Sequence, residues 1–324
     1  ACPRCPRAEI PEDKLNQQLD VDFFVSRIGT DAVNRMRRVT FCGNDGDPIY
    51  CRDLVSICRW LKSVNGDLQI VIVTNGSNRA PDWWTQLAQV LDYRDQIHWS
   101  LDGWDQTSNE QYRVNSRWDS IMDGYRAFAA ANDSTYRIWA TIAFRFNQDR
   151  LDHICNQAQQ LGFDRWQLTK STKFGSHYPD AYGDQDPLCP TRRDLVSSSH
   201  RFEREYTVLS TRVQFEPLKD VFWQRAVALY NSDQYPALCS VGTKGVFVNS
   251  HGELYPCCWT ANRYPHNQAW HDQARERFNL YRRSWVEIAQ DPFWTDDFLT
   301  FSGLECQTKC TREKLQDPGH VMEW

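Results

Sequence analysis

Between residues 37 and 170, five short apolar runs alternate with segments patterned for helix, and no other feature of the chain constrains its fold as tightly. The runs are RRVTFCG (37–43), LQIVIVTNG (68–76), QIHWSLDG (96–103), YRIWATIAFRFN (136–147) and FDRWQLTK (163–170). Each reads as a buried strand that closes on glycine or a polar residue. Between them Leu54, Ile57, Cys58 and Leu61 share one helical stripe. Leu151, Ile154, Cys155 and Ala158 share another, with Gly162 placed to stop that helix. Such alternation predicts an α/β fold: a parallel sheet with crossover helices, either curled into a barrel or open and doubly wound.

Near residue 175 the rhythm changes. SHYPDAYGDQDPLCPTRR (176–193) is rich in turn-forming residues and reads as a long connection. Residues 198–233 are expected to be largely helical, and GVFVNSHGELYP (245–256) has the pattern of a β-hairpin. The chain therefore divides into 1–175, a connecting part 176–233, and a C-terminal part 234–324.

Composition narrows the function classes. Net charge is -5 and no Lys/Arg run is present to track a phosphate backbone, which argues against nucleic acid as a partner. The longest aliphatic stretch, IVIV at 70–73, has the length of a strand and not of a membrane span. Fourteen tryptophans read mainly as core aromatics. Twelve cysteines leave two readings: a disulfide framework, which suits small secreted domains, or thiolates that hold metal in a reducing, cytoplasmic setting. Spacing has to decide between them.

In parallel sheets, ligands bind at the carboxyl ends of the strands. Here those ends are FCGNDGDP, VTNGS, WSLDG and FRFN, an ordered series that points to one shared ligand. Cys2 and Cys5 open the chain. Taken alone, the pair is half of a zinc knuckle, a redox dithiol, or the tail of a longer cluster motif.

Residues 1–175 resemble the radical S-adenosylmethionine (SAM) enzymes. Asp45-Gly46-Asp47-Pro48 is similar to the family's GGEP-like motif, with Asp47 where Glu is usual. TNG (74–76) and SLDG (100–103) resemble the next two strand ends, and Asp102-Gly103 followed by Tyr112-Arg113 is also typical. The resemblance implies a partial (β/α)6, TIM-like barrel. It matches Cys2 and Cys5 to the last two cysteines of C-x3-C-x2-C. The first cysteine would then lie three residues before Ala1, with the first strand also upstream, so a chain trimmed at its N-terminus is expected. Arg4 departs from the aromatic usual before the last cysteine.

The same resemblance implies a [4Fe–4S] cluster held by three thiolates, with an open iron that chelates SAM. Reduction then splits SAM to a 5′-deoxyadenosyl radical that abstracts hydrogen from substrate. The backbone of Asp45, Gly46, Asp47 and Pro48 is expected at the SAM amino group, and Asn75 among the cofactor-binding residues. Ser100 and Asp102 are expected at its ribose or carboxylate, and Arg145 at the carboxylate. No general base is assigned.

In the C-terminal part, Cys239, Gly252 and Cys257 form C-x12-G-x4-C, and CQTKC supplies Cys306 and Cys310. This is similar to the auxiliary-cluster extension called twitch or SPASM in its shorter form, and implies a second, auxiliary [4Fe–4S] cluster. A zinc site with four cysteine ligands is the alternative, but it prefers two closely spaced pairs and only Cys306/Cys310 form one. Cys51, Cys58 and Cys155 read as core thiols and Cys42 as structural; Cys189 lies in the connecting loop and Cys258 beside a ligand, with service as a spare ligand the alternative for either. The resemblance thus implies a cytoplasmic oxidoreductase acting on a peptide or small molecule, with an electron donor such as flavodoxin or ferredoxin. A non-catalytic scaffold holding zinc or iron–sulfur groups is the alternative from another class.

Overall fold

The computed structural model describes residues 2, 3, 5, 7, 10, 12, 15–43, 46–171, 186–202, 246–261 and 267–298. A helical entry runs through α1 (Val21–Phe23), a π-helical segment Phe24–Ile28 and α2 (Gly29–Arg35). Strand and helix then alternate: β1 (Arg38–Phe41), α3 (Leu54–Val64), β2 (Gln69–Thr74), α4 (Pro81–Ala88) and β3 (Gln96–Ser100). After them come α5 (Gln106–Glu110), α6 (Trp118–Ala131), β4 (Tyr136–Ile142), α7 (Leu151–Gln160) and β5 (Arg165–Thr169). β1 to β5 pair in sequence order and in parallel. The chain has the mixed α/β architecture that strand–helix alternation predicts.

The sheet has a sixth strand. β6 (Ser198–Arg201) pairs antiparallel with β5, where the sequence suggested helix. All four of its residues are exposed, as suits an edge strand, so no apolar pattern announced it. Leu195 and Phe202 on either side are buried and anchor it to the main core. The rest of the expected helical region, 203–233, lies outside the described residues.

Parallel strands carry different chemistry on their two faces here. Ile70, Ile72, Ile97, Trp99, Trp139, Trp166 and Leu168 pack with the helices. Because side chains alternate along a strand, the in-register residues Val73, His98 and Ile138 share the other face, with Ser100 and Ala140 above them. This second face holds several polar groups. Burial, with Arg165 and Arg38 adding, pushes the His98 imidazole down to about 3, so it stays neutral at ordinary pH.

The helix side is dense with aromatic rings. Trp99 lies 5.3 Å edge-on from Tyr125, which stacks on Phe163 at 4.2 Å. Glycine admits the closest contact: a Cβ on Gly124 of α6 would overlap the buried indole of Trp84 on α4. Gly124→Ala is expected to cost about 1–3 kcal/mol of stability through overpacking, read as a lower urea midpoint with unchanged slope. An unchanged midpoint would show that α4 and α6 are not packed this tightly.

A second core joins Phe23 to Tyr255, Trp270, Phe278, Phe293 and Trp294. β7 (Phe247–Val248) and β8 (Leu254–Tyr255) form the expected antiparallel hairpin, closed through Gly252 at φ +71°. Phe23 packs on Tyr281 (5.0 Å) and Phe24 on Phe41 (6.2 Å), so the helical entry touches both cores. Among the described residues no helix is long and apolar enough to cross a membrane.

Candidate functional site

The loop after β1 folds back over the end of β2. A Cβ on Gly43 would overlap the Gly46 carbonyl, so the turn closes only without a side chain there. Asp47 caps the short 3-10 helix Pro48–Tyr50. Its carboxylate accepts from the Thr74 hydroxyl (2.7 Å), the Asn75 amide (2.7 Å) and the Ile49 amide (3.2 Å). Burial raises Asp47 above the ordinary carboxylate value, against these hydrogen bonds, which lower it. Asp47 thus fastens one strand end to the next. Pro48 follows as the first residue of the 3-10 turn, and Gly46 is exposed. Asp45 lies outside the described residues.

At the end of β2, Asn75 Oδ1 accepts from the Ser77 amide (2.8 Å) and hydroxyl (2.6 Å). Gly76 has φ +67°, and a Cβ there would sit 2.9 Å from Trp99 Cδ1. Only glycine meets both demands. TNG is therefore a packed turn in which the Asn75 carbonyl oxygen serves the loop itself.

The end of β3 is the most constrained point of the fold. Asp102 is fully buried. Its Oδ1 accepts from the Ile142 amide (2.8 Å) on β4, and its Oδ2 from Arg113 Nε (2.6 Å). Asn109 Oδ1 receives the amides of Asp102 (3.0 Å) and Gly103 (3.3 Å), while Asn147 Nδ2 donates to the Asp102 carbonyl (2.8 Å). A Cβ on Gly103 would overlap the Ser108–Asn109 backbone. Both Asp102 oxygens are thus engaged within the protein. Ser100, on the face opposite Trp99, is partly exposed.

Arg113, known from the sequence only as part of its motif, is the partner of Asp102. Its side chain is 16% exposed, and its charged carbon lies 5.4 Å from the centre of the Tyr112 ring. Burial opposes its charge, but Asp102 first and Cys2 next hold it above the ordinary arginine value. Nη1 reaches to 4.0 Å from Cys2 Sγ. Burial pushes the Cys2 thiol up, and Arg113 counters that. The Cys5 amide donates to the Cys2 carbonyl (3.0 Å), so the two cysteines share one turn. Cys2 also packs on Tyr112 and Phe144, whose rings lie 4.2 Å apart.

Arg145 is exposed. Its Nε donates to the Cys189 carbonyl (2.9 Å) and its amide to the Leu188 carbonyl (3.0 Å), which pins the 186–192 loop over β4. The structure therefore brings Cys2, Cys5, Asp102 and Arg113 together, joins the β1 loop to the end of β2 through Asp47, and places Arg145 against the loop whose Leu188 and Cys189 pack in the same cluster as Cys2.

In the C-terminal part, Cys257 is partly buried, and burial, with Cys257 and then Cys42 adding, raises the thiol of Cys258. A buried network steadies the hairpin beside them. Tyr255 Oη donates to Glu253 Oε2 (2.9 Å) and lies 2.9 Å from His271 Nδ1, while Asn249 Nδ2 donates to the same Glu253 oxygen (2.8 Å). Cys239, Cys306 and Cys310 lie outside the described residues. Among the described residues no three His, Cys, Asp or Glu form a metal-ligand group.

No protein-family model and no curated protein sequence matches the chain. Solved structures do. SuiB of Streptococcus suis bound to the precursor peptide SuiA matches at TM-score 0.53 and 11% identity, over 92% of this chain and 64% of SuiB. SuiB bound to S-adenosylmethionine matches at TM-score 0.51 and 12% identity, over 98% of this chain and 68% of SuiB. The chain shares the fold of SuiB. It spans about two thirds of SuiB's length, and at this identity the likeness speaks for the fold alone.

Proposed function

We propose that the protein is a radical SAM oxidoreductase that takes hydrogen from a peptide substrate and carries an auxiliary [4Fe–4S] cluster in residues 234–324. The observation that carries this reading is the linkage at the strand ends. Arg113, locked by Asp102 at the end of β3, stands beside the thiol of Cys2, while Asp47 ties the β1 loop to the end of β2. Two thiols on one turn, with a buried cation against one of them, fit two corners of a thiolate-held iron–sulfur group. The SuiB complexes with S-adenosylmethionine and with a peptide support the choice of cofactor and substrate class.

In this reading Cys2 and Cys5 would hold the cluster, whose chemistry when bound would be to supply an electron to the sulfonium of SAM. The protein's own contributions are positional. Backbone at 45–48 would receive the SAM amino group, Ser100 would present its hydroxyl from the polar face of the sheet, and Asp102 would act beside it and through Arg113. Cys239, Cys257, Cys306 and Cys310 hold the auxiliary cluster, and a flavodoxin or ferredoxin delivers the electron.

Iron content tests this. The full-length protein is expected to bind about eight iron per chain after anaerobic reconstitution, as two four-iron clusters require. Stoichiometric zinc with little iron would instead make the chain a metal-binding scaffold.

A further inference from the structure

We infer that Arg113 is a positioning residue that sets the reduction potential of the group held by Cys2, by keeping a fixed positive charge beside that sulfur. The inference rests on the reading above that Cys2 ligates a cluster. Its basis is geometric. Asp102 cannot move, because Ile142 and Asn147 hold it from β4 and from the loop that follows. Its Oδ2 takes Arg113 Nε at 2.6 Å, and the Tyr112 ring lies 5.4 Å from the guanidinium carbon. With one edge of the guanidinium fixed in this way, Nη1 is directed toward Cys2 Sγ, 4.0 Å away. That distance is the outer limit for an N–H···S bond, so the effect is one of charge more than of hydrogen bonding.

The partial neutralisation by Asp102 leaves a dipole whose positive end faces the sulfur. In a largely buried setting such a dipole is poorly screened. Adding one electron to an iron–sulfur group adds one negative charge, which a nearby cation favours. Hydrogen bonds and charges at ligating sulfurs are among the levers that tune such potentials. Arg113 should therefore hold the potential above the value the thiolates alone would give, within reach of a protein electron donor. A purely structural arginine would anchor the loop after β3 without moving the potential.

The test is a titration of the reconstituted full-length protein with dithionite, which donates one electron per cluster, followed by electron paramagnetic resonance of the signal that changes on adding SAM. Arg113→Gln is expected to shift the one-electron equilibrium at least tenfold toward the oxidised state, about 59 mV to more negative potential. Arg113→Lys, which keeps the charge but not the fork, should fall between the two. Should Arg113→Gln fail to fold because Asp102 is stranded, Asp102→Asn combined with Arg113→Gln removes both charges and is expected to shift the potential in the same direction by less, since only the dipole is lost. Variants that take up full iron with an unchanged potential would overturn the inference and leave the proposed function standing. A wild-type protein with no four-iron signal would overturn both.

Discussion

Asp102→Ala is expected to destabilise the protein by about 3 kcal/mol, the low end of the cost of breaking a buried ion pair by removing one partner. The low end applies because the Arg113 side chain keeps 16% of its surface exposed, while Asp102 has none. The variant strands a guanidinium in a pocket formed by Tyr112 and Cys2, and also leaves the Ile142 amide without its acceptor. Asp102→Asn keeps a carbonyl oxygen for Ile142 and loses only the charge, so it should fall between wild type and Asp102→Ala. Urea denaturation followed by circular dichroism reads both. An Asp102→Ala midpoint equal to wild type would mean that Arg113 is held by something other than this carboxylate.

The second large effect concerns the C-terminal cysteines. Replacing Cys306 and Cys310 together with Ala is expected to remove about half of the iron, since each four-iron cluster is held separately. SAM cleavage in the absence of substrate should persist, because it depends on the Cys2–Cys5 site on the other part of the chain. Substrate turnover should disappear, since either substrate binding or removal of the product electron is lost. Metal ligation and folding are coupled at such sites, so circular dichroism must show that the hairpin and its core survive. A folded double variant with full iron, or with normal turnover, would remove the auxiliary cluster from the account.

What the sequence made legible was whatever repeats locally. Five strands were readable because apolar runs alternate with helical stripes, and the four loops that follow β1 to β4 because each carries Gly, Asn or Asp within its first five residues. β6 was not, because an exposed edge strand reading Ser-Ser-His-Arg carries no hydrophobic period. The glycines of TNG and SLDG could be seen as turn residues, but what demands them is tertiary: the Trp99 indole at Gly76 and the Ser108–Asn109 backbone at Gly103.

The candidate site was legible as a set of strand ends and not as a circuit. Arg113 lies 11 residues from Asp102 and 111 from Cys2, so nothing local announces that one side chain joins them. Asp102 was legible as part of the SLDG strand end. That its carboxylate also accepts from the Ile142 amide depends on β4, forty residues later. The same holds for the Glu253–Tyr255–His271 network, whose tyrosine and histidine are 16 residues apart.

The central claim is that the Cys2–Cys5 site supports reductive cleavage of SAM, and one measurement tests it most directly: 5′-deoxyadenosine formed by the reconstituted full-length protein with SAM and dithionite under anaerobic conditions. The expected result is formation of 5′-deoxyadenosine that stops when Cys2 and Cys5 are replaced by Ala and continues when Cys306 and Cys310 are. A wild-type protein with its full complement of iron that forms no more 5′-deoxyadenosine than a protein-free control would contradict it.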